Sequence, residues 1–405
     1  MLEALLHGGP SGAALVGFAV LLVLMQYWQA RRGLLAQTGV QGHPAADPMA
    51  LLGQSARALL GDRRLPAVLV LVWLVNAGFG WNLRWRAREE FGLEAPQVWA
   101  APDPSKAQEV VQGAAPSLTA LKSGLPGAFT LPSSGPGGLL LGLVFAALMR
   151  QYRREHADGL SDALWARSRW VVLLSLVSFG VAWAMYCYQF AHLGLDLNPR
   201  GVGALLGSLF WLGPAPIAAL SGLYIMAVML ELALHGRWDL AGVTRRVLGA
   251  YVPWVWWVII AVAGPQLAFL YAVAWSHGVF QYLAGDIIVT VLSWAPIVLF
   301  PLPWLLLSRE SGLVDGLQDS LSLIRRNARL VLLFAVRLAA VLAPAFFLLA
   351  LGRAVFAEAF APRALLDILE WAIEIVAVMA VCRAVAAIRE GQKPALAAMD
   401  GLEAQ

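Results

Sequence analysis

Charge is what this 405-residue chain has least of. Only 13% of its residues are Asp, Glu, Lys or Arg, 60% are hydrophobic, and the mean hydropathy is +0.70. A soluble fold of this size has no means of hiding so much apolar surface, whereas a bilayer absorbs it. Cysteine is almost absent: Cys187 and Cys382 both fall inside apolar runs, which excludes a disulfide framework or a thiolate metal site. Lysine occurs three times against 26 arginines, a composition that reads as GC-rich bacterial coding bias. The net charge of +4 does not imply nucleic acid, because the arginines flank apolar runs and act first as topology determinants.

Enzyme signatures are missing as well. The chain has no P-loop, no paired CxxC and no haem-type histidine pair within its apolar runs. His192 with Asp196 and His235 with Asp239 lack the companion ligands that zinc needs. Ser221-Gly222 is preceded by Ala219 where an intramembrane serine protease has glycine, and Glu89-Glu90 lacks the following Arg of intramembrane glutamate proteases. No catalytic activity and no cofactor are implied. The N-terminus has only Glu3 and no basic stretch before its first apolar run, so it does not read as a cleavable signal.

What the chain does have is apolar runs alternating with arginine. Spans are expected at roughly 11–30, 65–82, 137–152, 170–191, 203–232, 250–275, 286–307, 330–351 and 364–388. Placing the N-terminus outside puts twenty basic residues in cytoplasmic segments and eight outside, with Arg337 alone in mid-span. The expectation is a bacterial inner-membrane protein with its C-terminus cytoplasmic. The third span is the weak one, since Pro136 leaves it roughly 16 residues where ~20 are needed.

Inward loops carry amphipathic stretches. In 313–329, Leu313, Leu317, Leu321 and Ile324 share one helical face, and Asp315, Gln318, Asp319, Arg325 and Arg326 lie away from it. An earlier loop, Asp158-Gly-Leu-Ser-Asp-Ala-Leu164, matches Asp315-Gly-Leu-Gln-Asp-Ser-Leu321 at five of seven positions. The 47–64 loop aligns more loosely, Ser55 with Ser320, Leu59 with Ile324 and Asp62 with Asn327; 239–249 is looser still. The expected fold is thus an all-α transmembrane bundle of about nine spans with cytoplasmic elbow helices. A leading span and loop (1–46) precede four repeat units, 47–152, 157–236, 238–309 and 313–390. The segment 83–136 is an outer, Pro/Gly/Ala-rich insertion, either a mobile loop or a dock for a protein partner, and Leu131–Gly138 reads as flexible linker.

The run Ser320-Leu-Ser-Leu-Ile-Arg-Arg-Asn327 resembles the Ser-x-x-Leu-x-Arg-x-Asn linker of the bacterial multi-span membrane domains found fused to glycerophosphodiester phosphodiesterases. The resemblance covers linkers rather than spans. It implies a multi-span bundle and, with no hydrolase attached, does not establish an activity for the membrane domain.

Ionisable and polar groups at membrane depth are the candidate site. They are Arg337 in the eighth span, Glu370 and Glu374 one turn apart in the ninth, and Asn76 and Gln266. Glu374 is expected about 9 Å farther from the cytoplasm than Arg337. Either these charges form a structural ion pair, or they bind a proton or substrate. Pro214, Pro216, Pro265, Pro296 and Pro344 fall near one depth in four successive spans. They read either as helix breaks around a substrate cavity or as packing kinks. The open alternatives are a carrier with a midplane site and a non-catalytic scaffold. Membrane lipids are the expected partners, and oligomeric state is not encoded in any pattern found.

Overall fold

A computed structural model describes residues 47–92, 97–103, 105, 135–156, 162–191, 212–265, 267–268, 287–288, 291–292, 294–309 and 312–403. Among them the chain is helical, with one isolated bridge and no strand. The helices are α1 (Pro48–Gly61), α2 (Arg64–Phe91), α3 (Gly135–Glu155), α4 (Asp162–Ala191), α5 (Ala215–His235) and α6 (Leu240–Val258). They continue with α7 (Leu302–Arg309), α8 (Leu313–Arg326), α9 (Ala328–Val355) and α10 (Phe360–Glu403). Five are long and apolar enough to cross a membrane: α2, Leu164–Tyr188 of α4, α5, α9 and Phe360–Glu390 of α10. The protein is therefore an all-α membrane protein.

Of the nine spans expected, five are seen among the described residues. The run at 11–30 lies outside the described residues, as does most of 203–212 and 269–286. The run at 137–152 is helical, but its glycines, Pro136, Arg150 and Gln151 dilute its apolar character. The run at 286–307 is interrupted by a turn at 299–301. Among the described residues a separate short helix precedes α2 and α9, where Gly61-Asp62 and Asn327 interrupt the chain. At 162 and 240 the basic stretch forms the first turns of the following long helix.

The chain divides into two compact units, 58–94 with 131–321 and 1–57 with 95–130 and 322–405. In the first, α5 is the buried centre, with α3, α4 and α6 packed on it and α2 on α3. Helix α4 turns a stripe of small residues inward: Ser168, Val171, Ser175, Ser178 and Ala182, spaced three and four apart. Small side chains let helices approach closely in lipid, where no hydrophobic effect drives them together. Its other faces are exposed, including Trp170, Leu173, Leu176 and Val177.

Glycine does the same for α3. Gly135, expected in a linker, begins the helix with φ 84°, a conformation glycine adopts without strain. Gly137 rests on the Val72 carbonyl of α2, and a Cβ at Gly142 would lie 2.8 Å from the Ile217 carbonyl of α5. In the second unit α9 packs against α10. On α8 the buried positions are Gly316, Ser320 and Leu323, whereas Leu321, expected on the apolar contact face, is exposed.

Candidate functional site

The second unit holds the expected charges. Arg337 and Glu374 are buried, 4% and 7% exposed, in the middle of α9 and α10. Neither residue is without an interaction partner, though Arg337 Nε and Nη2 and one Glu374 carboxylate oxygen are buried without a hydrogen bond. Counting from the α9–α10 turn at ~1.5 Å per residue, Arg337 lies about 6 Å deeper than Glu374. That is within the length of an extended arginine and closer than the 9 Å expected from sequence.

Glu370 goes elsewhere. Arg353, near the end of α9, forms ion pairs with both Glu370 and Asp367, the latter at 2.6 Å. The two glutamates share a helical face, yet one serves the turn end of the hairpin while the other sits a turn deeper. In the sequence Arg353 reads only as one of the eight outer basic residues. Asp367 at i−3 from Glu370 was the available signal, because carboxylates at that spacing can bracket one guanidinium.

The turn end is closed by part of the 83–136 segment. The Phe360 and Ala361 N–H groups donate to the Gln97 and Val98 carbonyls, each at 3.0 Å, and Asp103 N–H donates to the Val355 carbonyl at 3.0 Å. Phe360 and Ala361 open α10, where backbone donors lack intrahelical acceptors, and Pro362 has no N–H to satisfy. Residues 97–103 therefore cap the hairpin. At its far end Arg383 donates to Gln54 of α1 at 3.4 Å.

Of the remaining mid-span polar groups, Asn76 is absorbed by packing. Asn76 Oδ1 accepts the Gly137 N–H at 2.7 Å, satisfying a first-turn donor of α3 from the neighbouring helix. Pro214 and Pro216 sit at the N-terminus of α5, where proline is tolerated, and the turn at 213–214 follows helical Leu212. Ser178 there donates to the Gly213 carbonyl at 2.5 Å and accepts the Ile217 N–H at 3.3 Å. The Tyr251 hydroxyl donates to the Pro216 carbonyl at 3.1 Å. Backbone polarity released around these prolines is thus consumed by serine and tyrosine side chains. Pro265 follows a π-turn at Ile259–Ala263, Pro296 lies within a helical stretch, and α9 runs unbroken through Pro344. Gln266 lies outside the described residues.

Polar clusters gather at the arginine-rich helix ends. Glu231 accepts from Arg246 at 2.6 Å and contacts His235 at 2.8 Å, closing the α5–α6 hairpin. Asp239, considered beside His235 as a ligand, instead accepts the Gly242 N–H at 3.0 Å as the N-cap of α6. Ser221 is buried and donates to its own helix at the Ala218 carbonyl. Among the described residues no cluster of three metal-ligating side chains occurs.

Asp62 makes the best-connected contact at these ends. Trp238 Nε1–H donates to it at 2.8 Å, the Leu65 and Arg64 backbone N–H groups donate at 3.3 and 3.4 Å, and Arg64 lies 4.5 Å over the Trp238 ring. Burial opposes ionisation of the carboxyl. The hydrogen bonds from Trp238, Leu65 and Arg64 outweigh it and hold the pKa below the ordinary aspartate value. A depressed pKa stabilises the folded state above the unfolded pKa of about 3.9, and that contribution is lost as pH falls through the folded value. The melting-temperature gap between wild type and Asp62→Asn in detergent should be constant from pH 7 to 5 and shrink toward pH 3. A gap that widens on acidification would refute this.

The chain matches no family model, no curated protein and no solved structure. The functional reading therefore rests on its own geometry.

Proposed function

We propose that the protein is a non-enzymatic carrier of the bacterial inner membrane. Its N-terminus lies outside and its arginine-rich helix ends face the cytoplasm, with a coupling site built on Arg337 and Glu374. The observation that carries the reading is the burial of these two opposite charges in mid-hairpin. Desolvating a charge costs several kcal/mol per ion, and an apolar pair of similar size packs as well or better. Charges kept at that depth in a membrane protein point to ion or proton handling. Glu374 exchanges a proton as the hairpin loosens, and Arg337 sets how readily it does so. Arg353 with Asp367 and Glu370 holds the outer end, capped by residues 97–103.

The nine-span plan with four repeats belongs to the same proposal. Its support is that Ser55 of α1 and Ser320 of α8 are both fully buried at aligned positions, each in a short helix leading into a span. The resemblance of the 320–327 linker to the phosphodiesterase-fused membrane domains fits the same plan.

The test uses proteoliposomes enclosing a pH-sensitive dye, given a potassium diffusion potential with and without a small-metabolite extract outside. Extract-dependent proton movement in wild type, abolished by Glu374→Gln while the variant stays monodisperse, is the expected result. Correctly folded wild type that moves no protons under any extract would overturn it.

A second reading, a membrane scaffold, is favoured by the way Asn76, Pro214 and Pro216 are consumed in packing. On that reading the outer segment 83–136 docks a protein partner. The scaffold predicts that Glu374→Gln leaves function intact in cells.

A further inference from the structure

The facing ends of α3 and α4 concentrate positive charge that no carboxylate among the described residues pairs with. Arg153 lies with its guanidinium 4.7 Å over the Trp165 ring. Arg150, Arg154 and Arg169 crowd it closely enough, with burial as the larger effect, to lower its affinity for its own proton. Among the described residues no carboxylate forms an ion pair with any of the four. The nearby Glu155 accepts from Gln151 instead. Arg153 Nε is buried with no hydrogen-bond partner. Such an arrangement repels itself until an anion enters.

The neighbouring surface indicates which anion. Arg169 begins a stripe on α4 that continues through Leu173, Leu176 and Val177, all exposed, with Trp170 68% exposed beside it. From Arg169 to Val177 the stripe is about 12 Å long, matching a substantial part of an acyl chain. A cationic notch joined to an apolar track has the layout of one ligand class. We propose that Arg150, Arg153, Arg154 and Arg169 bind the phosphate of an anionic phospholipid whose acyl chain lies along α4.

Arg153 and Arg169 take the phosphate oxygens, since guanidinium groups suit planar, bidentate contacts with that group. Arg150 and Arg154, exposed as Arg169 is, add charge at the rim. The site is separate from the hairpin charges, so its failure leaves the carrier proposal standing.

Full-length protein in neutral detergent is titrated with phosphatidylglycerol, phosphatidylcholine or inorganic phosphate, reading melting temperature and lipid adducts by native mass spectrometry. Phosphatidylglycerol alone should stabilise the wild type. Its apparent affinity should fall roughly fivefold for each arginine removed in Arg153→Gln with Arg169→Gln. Arg325→Gln with Arg326→Gln, equal in charge loss, should retain it. Should the first pair fail to fold, Arg150→Gln with Arg154→Gln on the exposed rim must show a smaller loss in the same direction. Equal losses in the 325/326 control would reduce the effect to general surface charge and overturn the proposal. So would equal stabilisation by phosphatidylcholine or by inorganic phosphate.

Discussion

Replacing Gly137 by alanine is expected to lower the melting temperature in detergent by several degrees and to broaden the elution profile. An added methyl would overlap the Val72 carbonyl and press on Asn76 Oδ1, which lies 3.0 Å from the Cβ position. A flexible side chain could give way, but Val72 O belongs to the backbone of α2. Relief requires the two helices to separate, which also breaks the Asn76–Gly137 hydrogen bond. Overpacking costs about 1–3 kcal/mol, and the lost bond adds about 0.5–1.5 kcal/mol. Gly80→Ala on α2 is the control, since a Cβ there meets open space. It should be neutral or stabilise slightly, because alanine favours helix by about 1 kcal/mol over glycine. Equal tolerance of both substitutions would show that α2 and α3 do not approach as described.

The second large effect concerns Arg337 and Glu374. Arg337→Met or Glu374→Leu alone should destabilise the protein by about 3–5 kcal/mol, the penalty of leaving one buried charge unanswered. Together they should recover most of that loss, since two apolar side chains pack where two desolvated ions stood. A double-mutant cycle from unfolding in mixed micelles measures the coupling, and additive losses would mean the two charges answer to different partners. Recovery of stability without recovery of proton movement would separate a functional pair from a merely structural one. The carrier proposal requires that separation.

Much of the architecture was visible in the chain itself. Mean hydropathy and helical length alone lead to an all-α membrane protein, and helices were expected where α2, α4, α9 and α10 occur. Arg337 and Glu374 were candidates because charge is rare at that depth. Their burial depends on α9 packing against α10, a contact between distant turns that no local pattern encodes. The partner of Glu370 is set by the same packing. Glu370 shares a face with Glu374, but the α9–α10 turn brings Arg353 to it rather than leaving it beside Arg337. Leu131–Gly138 looked like linker because glycine and proline are punctuation in soluble chains. Between membrane helices the same residues permit the closest backbone approach, so α3 begins within that stretch.

Composition determined that this protein lives in a bilayer and is helical, because hydrocarbon tolerates only backbone that satisfies its own hydrogen bonds. Which polar groups are used up, and which stay buried with their charge, was decided by the tertiary structure alone. Asn76, Ser178 and Tyr251 find backbone partners only once particular helices cross. A hydrogen bond acts over about 3 Å, and residues that meet at that range are set by the packing of whole helices rather than by their neighbours in the chain.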